Sequence, residues 1–591
     1  MVAMTPRTVL AVSLALAIIT GQETSQCAAP KRIALVAPGL PWQFGPYQRQ
    51  QYLLSLGLHR LGHAVSWLNL SPHHVVPERR YATVDAYCAA LGLPAPDLDV
   101  AHLDWLGRGP TQDLNGRSGT QTSLSRLNEL AAAFGVDAFV TLLDGSNLFR
   151  DAAPAVPMIA WFPSHFEDLA PPDLYLARGL SAVAPLAPTA TAAIARQLGP
   201  GGPVARHVPH EVEAPKSVDV VDFPANYTVL MCGGNYEASD RKGWMQGILA
   251  FAKFYAESPD DDKPHLYVHG ISSLRIAEAE RSRAAPPTAK ANGVPLRHYL
   301  WATGLPAAAW TLDEALHAPP RVAGLKRAAD ACLHPSKTEG FGLNVLECQL
   351  MGTPVVTTKT AAMADYTVNG EAVPYRQTEW LAGGMVATPD VDGVAAALHR
   401  LRARPRHEAD AAAAKAKAWL EATFSSAAVA AGMDALLADV LAKPPAPAKP
   451  PTVRVETADF PDPVHWDADW TLLVDADVDV NEAAVAAFVS QPWATASNGA
   501  LAAIVPCVYA DGSPVPYLSG QAAHPHLPVI VRTHTLSHAQ VADPDRTHVA
   551  ALILQQVRGV QRLPDGLARF RTRLPGQPDT RYEFLDTEVR H

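Results

Sequence analysis

The chain of 591 residues is short of cysteine, of charge and of long apolar runs, and each shortage excludes something. Its six cysteines (27, 88, 232, 332, 348 and 507) are scattered with no C-x-x-C pair, so neither a disulfide framework nor a zinc site is indicated. Small buried hydrophobes are the default reading for most of them. Charged residues are only 18% and the formal net charge is -10, which argues against a general nucleic-acid binder. The apolar run Val9 to Ile19, preceded by Arg7, is too short for a comfortable membrane span. It fits the h-region of a signal peptide, and a polar stretch then leads to Cys27-Ala28-Ala29. Residues 1–29 are therefore expected to be a signal peptide, with an uncleaved anchor as the main rival and a first buried helix as the third reading. Two N-x-S/T sequons, at Asn69 and Asn226, add weak support for entry into a secretory or periplasm-like compartment, without excluding the cytoplasm.

What is present is a run of α/β punctuation over a length that calls for two to four domains. Lys31 to Ala37 reads as a first strand, Gly39 to Pro46 as a Gly/Pro loop, Tyr52 to Leu61 as an amphipathic helix and Ala64 to Leu68 as the next strand. Asp137 to Asp144, Met158 to Pro163 and Ser181 to Pro185 continue the pattern, followed by a helix to Leu198 and an extended stretch from Val204 to Val212. A second series begins at Tyr227 to Gly234, with a helix Trp244 to Tyr255 and a strand His265 to Gly270. Residues 281–296 read as an exposed connection, Leu325 to Ala331 as a helix, and the Ala-rich stretch His407 to Leu441 as helical.

The most informative stretch is Leu333-His334-Pro335-Ser336-Lys337-Thr338-Glu339-Gly340-Phe341-Gly342-Leu343-Asn344-Val345-Leu346-Glu347, followed by Met351-Gly352-Thr353-Pro354-Val355-Val356. It reads as strand, tight glycine loop, helix and strand. A helix N-terminus behind two glycines is a ready phosphate site, because unpaired N–H groups face an anion that the glycines let come close. The carboxylates Glu339 and Glu347 bracket that loop and are good acceptors for sugar hydroxyls. A ligand with hydroxyls at both ends and a diphosphate between is a nucleotide-sugar.

With seven residues between Glu339 and Glu347, and with Gly-Thr-Pro-Val-Val following, the stretch resembles the E-x7-E signature of the family 4 retaining glycosyltransferases. The resemblance covers about residues 31–442. It implies a GT-B fold, α/β with two Rossmann-like domains facing a cleft: residues 31–215 on the acceptor side and 216–442 binding the nucleotide-sugar. The last helix is then expected to pack back across the first domain. The resemblance also implies site roles. Arg241 and Lys242, at a helix start after a glycine loop, would hold the diphosphate. Glu339 would hold sugar hydroxyls and Glu347 the ribose, with Gly340, Phe341, Gly342 and Leu343 forming the donor loop. Gly45 falls in the loop that faces the cleft, and His165 is the N-domain histidine best placed for the sugar. Thr360 to Asp365 parallels a donor-sugar segment with Ala364 and Asp365 in place of Pro and Glu. His210-Glu211-Val212-Glu213 lacks the glycine of the corresponding family segment. Same-face transfer without a protein nucleophile or a required metal is what the family implies.

Residues 443–451, Lys-Pro-Pro-Ala-Pro-Ala-Lys-Pro-Pro, form a semi-rigid linker. Beyond it, in 452–591, Trp470 to Asp477 reads as a strand ending in Asp475-x-Asp477. That resembles the metal-binding Asp-x-Asp of GT-A enzymes, where acids hold a divalent cation against a diphosphate. Two acids at a strand end is the plainer reading. The expectation is a glycosyltransferase moving a hexose from a GDP- or UDP-sugar to a glycan, lipid or protein acceptor, with membrane association but no nucleic acid among its partners. The rivals are a nucleotide-sugar hydrolase or epimerase of the same fold, and a non-catalytic sugar-binding protein.

Overall fold

The computed structural model describes residues 30–443 except 42–44, 71–101, 107–121, 144–147, 150–152, 167–168, 170, 224–226, 235–239, 271–274, 277–293, 316 and 382–383, and beyond them only strands between Val453 and Phe570. Residues 1–29, Asn226, the Pro-rich linker after Lys443, Asp475 and Asp477 lie outside the described residues.

The first sheet is all parallel: β1 (Arg32–Ala37), β2 (Ala64–Asn69), β3 (Leu103–Trp105), β4 (Ala138–Thr141), β5 (Met158–Phe162), β6 (Ala182–Pro185) and β7 (Val204–Ala205), in the order β3-β2-β1-β4-β5-β6-β7. Parallel strands are covered on both faces, so they read as continuous apolar runs, and Met158–Phe162 is buried throughout. Helix α1 (Pro46–Arg60) starts six residues earlier than the sequence suggests, because Pro46 sits at the first helical position, where its missing N–H costs nothing. The extended stretch expected from Val204 to Val212 is a strand only at Val204–Ala205.

The second sheet has β8 (Thr228–Cys232), β9 (His265–His269), β10 (Trp310–Asp313), β11 (Ala331–His334), β12 (Val355–Thr358) and β13 (Gly370–Val373), again all parallel and in the order β10-β9-β8-β11-β12-β13. Both sheets thus run outward from their first strand in one direction and restart beside it in the other, which creates a switch point at the carboxyl ends. Helix α2 (Pro188–Leu198) follows β6 in the first half, and the helices that serve the second sheet's site are α3 (Trp244–Glu257), α4 (Pro319–Ala328), α5 (Leu343–Leu350) and α6 (Ala361–Tyr366).

The Ala-rich stretch is two helices, α7 (Arg406–Thr423) and α8 (Ser426–Leu441), bent by 41° at the break, where Ser425 Oγ accepts from Ala428 N. Helix α8 lies against α1, and His63 Nε2 meets Asp434 Oδ1 at 2.9 Å. Besides a cluster within each half, one core cluster bridges them, holding Ile33, Trp67 and Trp161 of the first half, Phe341, Leu346 and Tyr366 of the second, Met433 and Leu437 of α8, and Phe424 between α7 and α8. Among the described residues no single helix is long and apolar enough to cross a membrane.

Candidate active site

Strands β8 and β11 pair side by side, so the loops that leave their carboxyl ends are neighbours at the switch point. The loop after β11 carries Glu339 to Gly342 and runs into α5. Gly342 caps α5 at φ 85°, a left-handed conformation that a side chain would strain. Its carbonyl accepts from Val345 N and Leu346 N, which leaves the N–H groups of the helix start facing the loop. Gly340 meets the other half of the molecule: a Cβ there would lie 2.9 Å from the carbonyl carbon of Pro163, just after β5. The absence of a side chain at Gly340 therefore lets the two halves touch at the donor loop.

The loop after β8 brings Arg241 and Lys242 to the same place. Lys242 Nζ hydrogen-bonds Glu339 Oε1, Arg241 Nη1 lies 3.5 Å from Glu339 Oε2, and Ser336 Oγ donates to Oε1 at 3.0 Å. Burial would push the Glu339 carboxyl up, but Lys242, then Arg241, together with His165, hold it down to about 2. Glu339 is thus an anion clamped between two cations. The two loops are also tied along the backbone, since Lys337 N donates to Arg241 O at 2.8 Å. Asp240 takes a left-handed φ of 49° and caps α3, its two carboxylate oxygens accepting from Trp244 N and Met245 N at 2.9 Å each. That cap occupies the start of α3, so the anion-binding capacity here rests on the Arg241 and Lys242 side chains and on α5.

His165 follows β5 and lies close enough for its charge to act on Glu339. The structure therefore brings Glu339, Lys242 and Arg241 of the second half together with His165 of the first. Glu347 lies on the next turn of α5, with a side chain 39% exposed. Phe341 was expected to help bind the donor, but its ring is buried between His210, Tyr366 and Phe424 at 4.9, 5.3 and 5.8 Å between centroids, so its side chain fastens the two halves and only its backbone can meet a ligand. Leu343 likewise packs against the core. Gly45 caps α1 at the carboxyl end of the first sheet in extended backbone, and among the described contacts none joins it to Glu339.

Residues 305–404 match the family model described as "Glycosyl transferases group 1". That stretch of the second half is similar to a glycosyltransferase group 1 domain. The matched residues hold Glu339 and Glu347, while Arg241, Lys242 and His165 lie before them. No curated protein matches the chain. Similar solved structures include sucrose-phosphate synthase from Thermosynechococcus elongatus (18% identity, TM-score 0.48, 70% of this chain and 99% of that one). Others are HepE from Anabaena in complex with UDP and glucose (15%, 0.42, 69% and 100%) and α,α-trehalose 6-phosphate synthase from Burkholderia multivorans (12%, 0.43, 70% and 99%).

Several parts of the site and its surroundings were not legible in the sequence. Asp365, which stands in the expected sugar-side segment, instead accepts from Thr189 N at 2.8 Å and Thr189 Oγ1 at 2.6 Å, in the first half of the molecule. It joins the two halves. Lys326 on α4 was overlooked altogether, although its ammonium hydrogen-bonds both Glu347 and Asn344. Cys332 and Cys348 form a disulfide, contrary to the expectation of isolated buried thiols. The residues lie on β11 and α5, and only the packing of that helix on that strand brings them together. His210 is fully buried against Trp161 and Phe341, and burial pushes its imidazole down to about 3, so it is a neutral packing element between the halves.

Among the described residues, two side-chain groups have the chemistry of a metal site, Cys332/His334/Cys348 and His269/Asp313/His317. The first has its sulfurs joined to each other. In the second, Asp313 Oδ2 already accepts from Tyr267 Oη at 2.7 Å and faces His317 Nε2 at 2.6 Å, while Oδ1 accepts from Ala315 N at 3.1 Å. Protein donors fill that carboxylate.

Proposed function

We propose that the protein is a retaining glycosyltransferase that moves a hexose from a UDP- or GDP-linked donor to a glycan, lipid or protein acceptor. The observation that carries this is the meeting of Arg241, Lys242, the Gly342 turn with the start of α5, and Glu339 at the switch point of the second sheet, with His165 of the first half across the cleft. The arrangement supplies positive charge and N–H groups where a diphosphate leaves, and a carboxylate beside them for the sugar hydroxyls. Preorganised charge of this kind acts on the transition state, where the negative charge of the leaving group develops. Without ligand, Glu339 holds both cations; a donor diphosphate would take them over and leave the carboxylate to the sugar. Transfer then proceeds on the face from which the diphosphate departs, with no protein nucleophile and no metal needed. A disulfide in the donor domain supports residence in an oxidising compartment, in line with the secretory reading of residues 1–29.

The test is nucleoside diphosphate binding in the wild type and in Lys242→Ala. UDP or GDP should raise the melting temperature of the wild type, because a ligand of the native state stabilises it by mass action. Lys242→Ala should remove a charge-assisted contact worth about 1.5–3 kcal/mol, which lowers affinity by about one to two orders of magnitude with the fold intact. Unchanged affinity in calorimetry would remove Lys242 from the site, and no response to either nucleotide would sink the donor assignment.

A further inference from the structure

Lys326 is a lysine in the interior, its side chain 3% exposed. A buried ammonium is costly unless it is paired and hydrogen-bonded. Its partners are specific: Asn344 Oδ1 at 2.8 Å and Glu347 Oε2. Residues 344 and 347 are three apart on α5 and share one face of it. Burial works against the charge on Lys326, yet the Glu347 carboxylate keeps its pKa above the ordinary value. The backbone of Lys326 is fixed to the turn that follows the same helix, since its carbonyl accepts from Thr353 Oγ1 at 2.5 Å. The ammonium is therefore held at a set point against α5. It engages Oε2 of Glu347, and among the described residues Oε1 has no hydrogen-bond partner.

We propose that Lys326 is a positioning residue that aims the Glu347 carboxylate at the ribose hydroxyls, and so makes the site prefer ribonucleotides to 2′-deoxyribonucleotides. The proposal rests on the donor reading above. Glu347 is part-exposed, so without the lysine its carboxylate can turn into water at little cost. What is lost is its aim rather than the pairing of a buried charge. Lys326 itself has almost no solvent exposure and acts only through Glu347 and Asn344.

The experiment measures the affinity of UDP and 2′-deoxy-UDP, or of GDP and 2′-deoxy-GDP if guanine binds better, in the wild type, Glu347→Gln, Lys326→Met and Lys326→Arg. The wild type should favour the ribonucleotide by about tenfold or more, the scale of one charge-assisted hydrogen bond. Lys326→Met should lose most of that ratio, with deoxynucleotide affinity nearly unchanged, and Lys326→Arg should recover part of it. A merely structural lysine would lower both affinities alike and keep the ratio, which would overturn the proposal. A Lys326→Met ratio equal to the wild type's would overturn it too. If Glu347→Gln keeps the wild-type ratio, or the wild type has none, the failure lies in the ribose assignment instead. Should Lys326→Met not fold, Lys326→Gln, which keeps a donor without the charge, is read in the same way.

Discussion

Glu339 is the residue on which the chemistry of the site turns, because it meets both Arg241 and Lys242. With its carboxyl held down to about 2, it is ionised throughout the working range of pH. Replacing it by glutamine removes a negative charge from beside Lys242 and Arg241. Nucleoside diphosphate binding should therefore stay level or tighten slightly. Turnover should fall by about a hundredfold, since an interaction made with the reacting sugar is felt in kcat rather than in ground-state binding. Steady-state kinetics and calorimetry on Glu339→Gln decide this; abolished nucleotide binding with the fold intact would show that the donor lies the other way round in the cleft. At this scale the sequence is most informative where the chemistry is local. Glu339, Gly340, Gly342 and Glu347 are legible because a loop and one helix turn present them together. Lys326 is not legible, because it lies twenty-one residues before Glu347 and only the packing of α4 on α5 turns it inward. In the sequence, Lys326 is only one residue of the helix expected from Leu325 to Ala331.

Between the residue and the molecule stands the unit of β11, the donor loop and α5. The Cys332–Cys348 disulfide closes this unit, joining the strand before the loop to the helix after it over a separation of 16 residues. Cross-linking a loop of that length stabilises the native state by about 3 kcal/mol, chiefly by restricting the unfolded chain. The double variant Cys332→Ala/Cys348→Ala should lose about that much in urea unfolding and should also bind nucleoside diphosphate less tightly, since the loop that carries Glu339 is less constrained. Equal stability of the variant and the wild type would mean that the link contributes nothing. The strand, loop, helix and strand were legible from periodicity and glycines, and the start of α5 falls where Gly342 predicts. The disulfide was not, because cysteines sixteen apart carry no motif; their meeting depends on which face of α5 packs on β11. The early start of α1 at Pro46 was missed for a related reason: proline reads as a breaker, although at a first helical position it is a starter.

At the scale of the whole molecule, each half has a core cluster of its own, and a further cluster joins the two. Leu420, Val429, Met433, Leu436, Leu437 and Val440 of α7 and α8, with Phe424 between them, are all buried, in one cluster with Ile33 and Trp161 of the first sheet and Phe341 of the donor loop. The match to the family model ends at residue 404, short of all of them. Two truncations therefore have opposite expected outcomes. Ending the chain after Lys443 removes the Pro-rich stretch and everything that follows it, and should leave a soluble core that melts cooperatively and still binds nucleoside diphosphate. Ending it after Arg404 exposes the surface those side chains cover. Each large apolar side chain contributes about 1.5–3 kcal/mol when buried, so seven contribute on the order of 10 kcal/mol or more. That is comparable to the entire stability of a typical domain, about 5–15 kcal/mol. The shorter chain should be insoluble or unfolded. The closing helix was expected from the resemblance, but its depth in the first half's core was not, because an Ala-rich run shows little apolar contrast between its faces. Solubility, calorimetric melting and nucleotide binding of the two chains decide the matter. A soluble, cooperative 404-residue chain would show that the halves complete themselves without α7 and α8. An insoluble 443-residue chain would place part of the core beyond the linker. Transfer activity that vanishes with EDTA and returns with manganese would move the working site to Asp475 and Asp477.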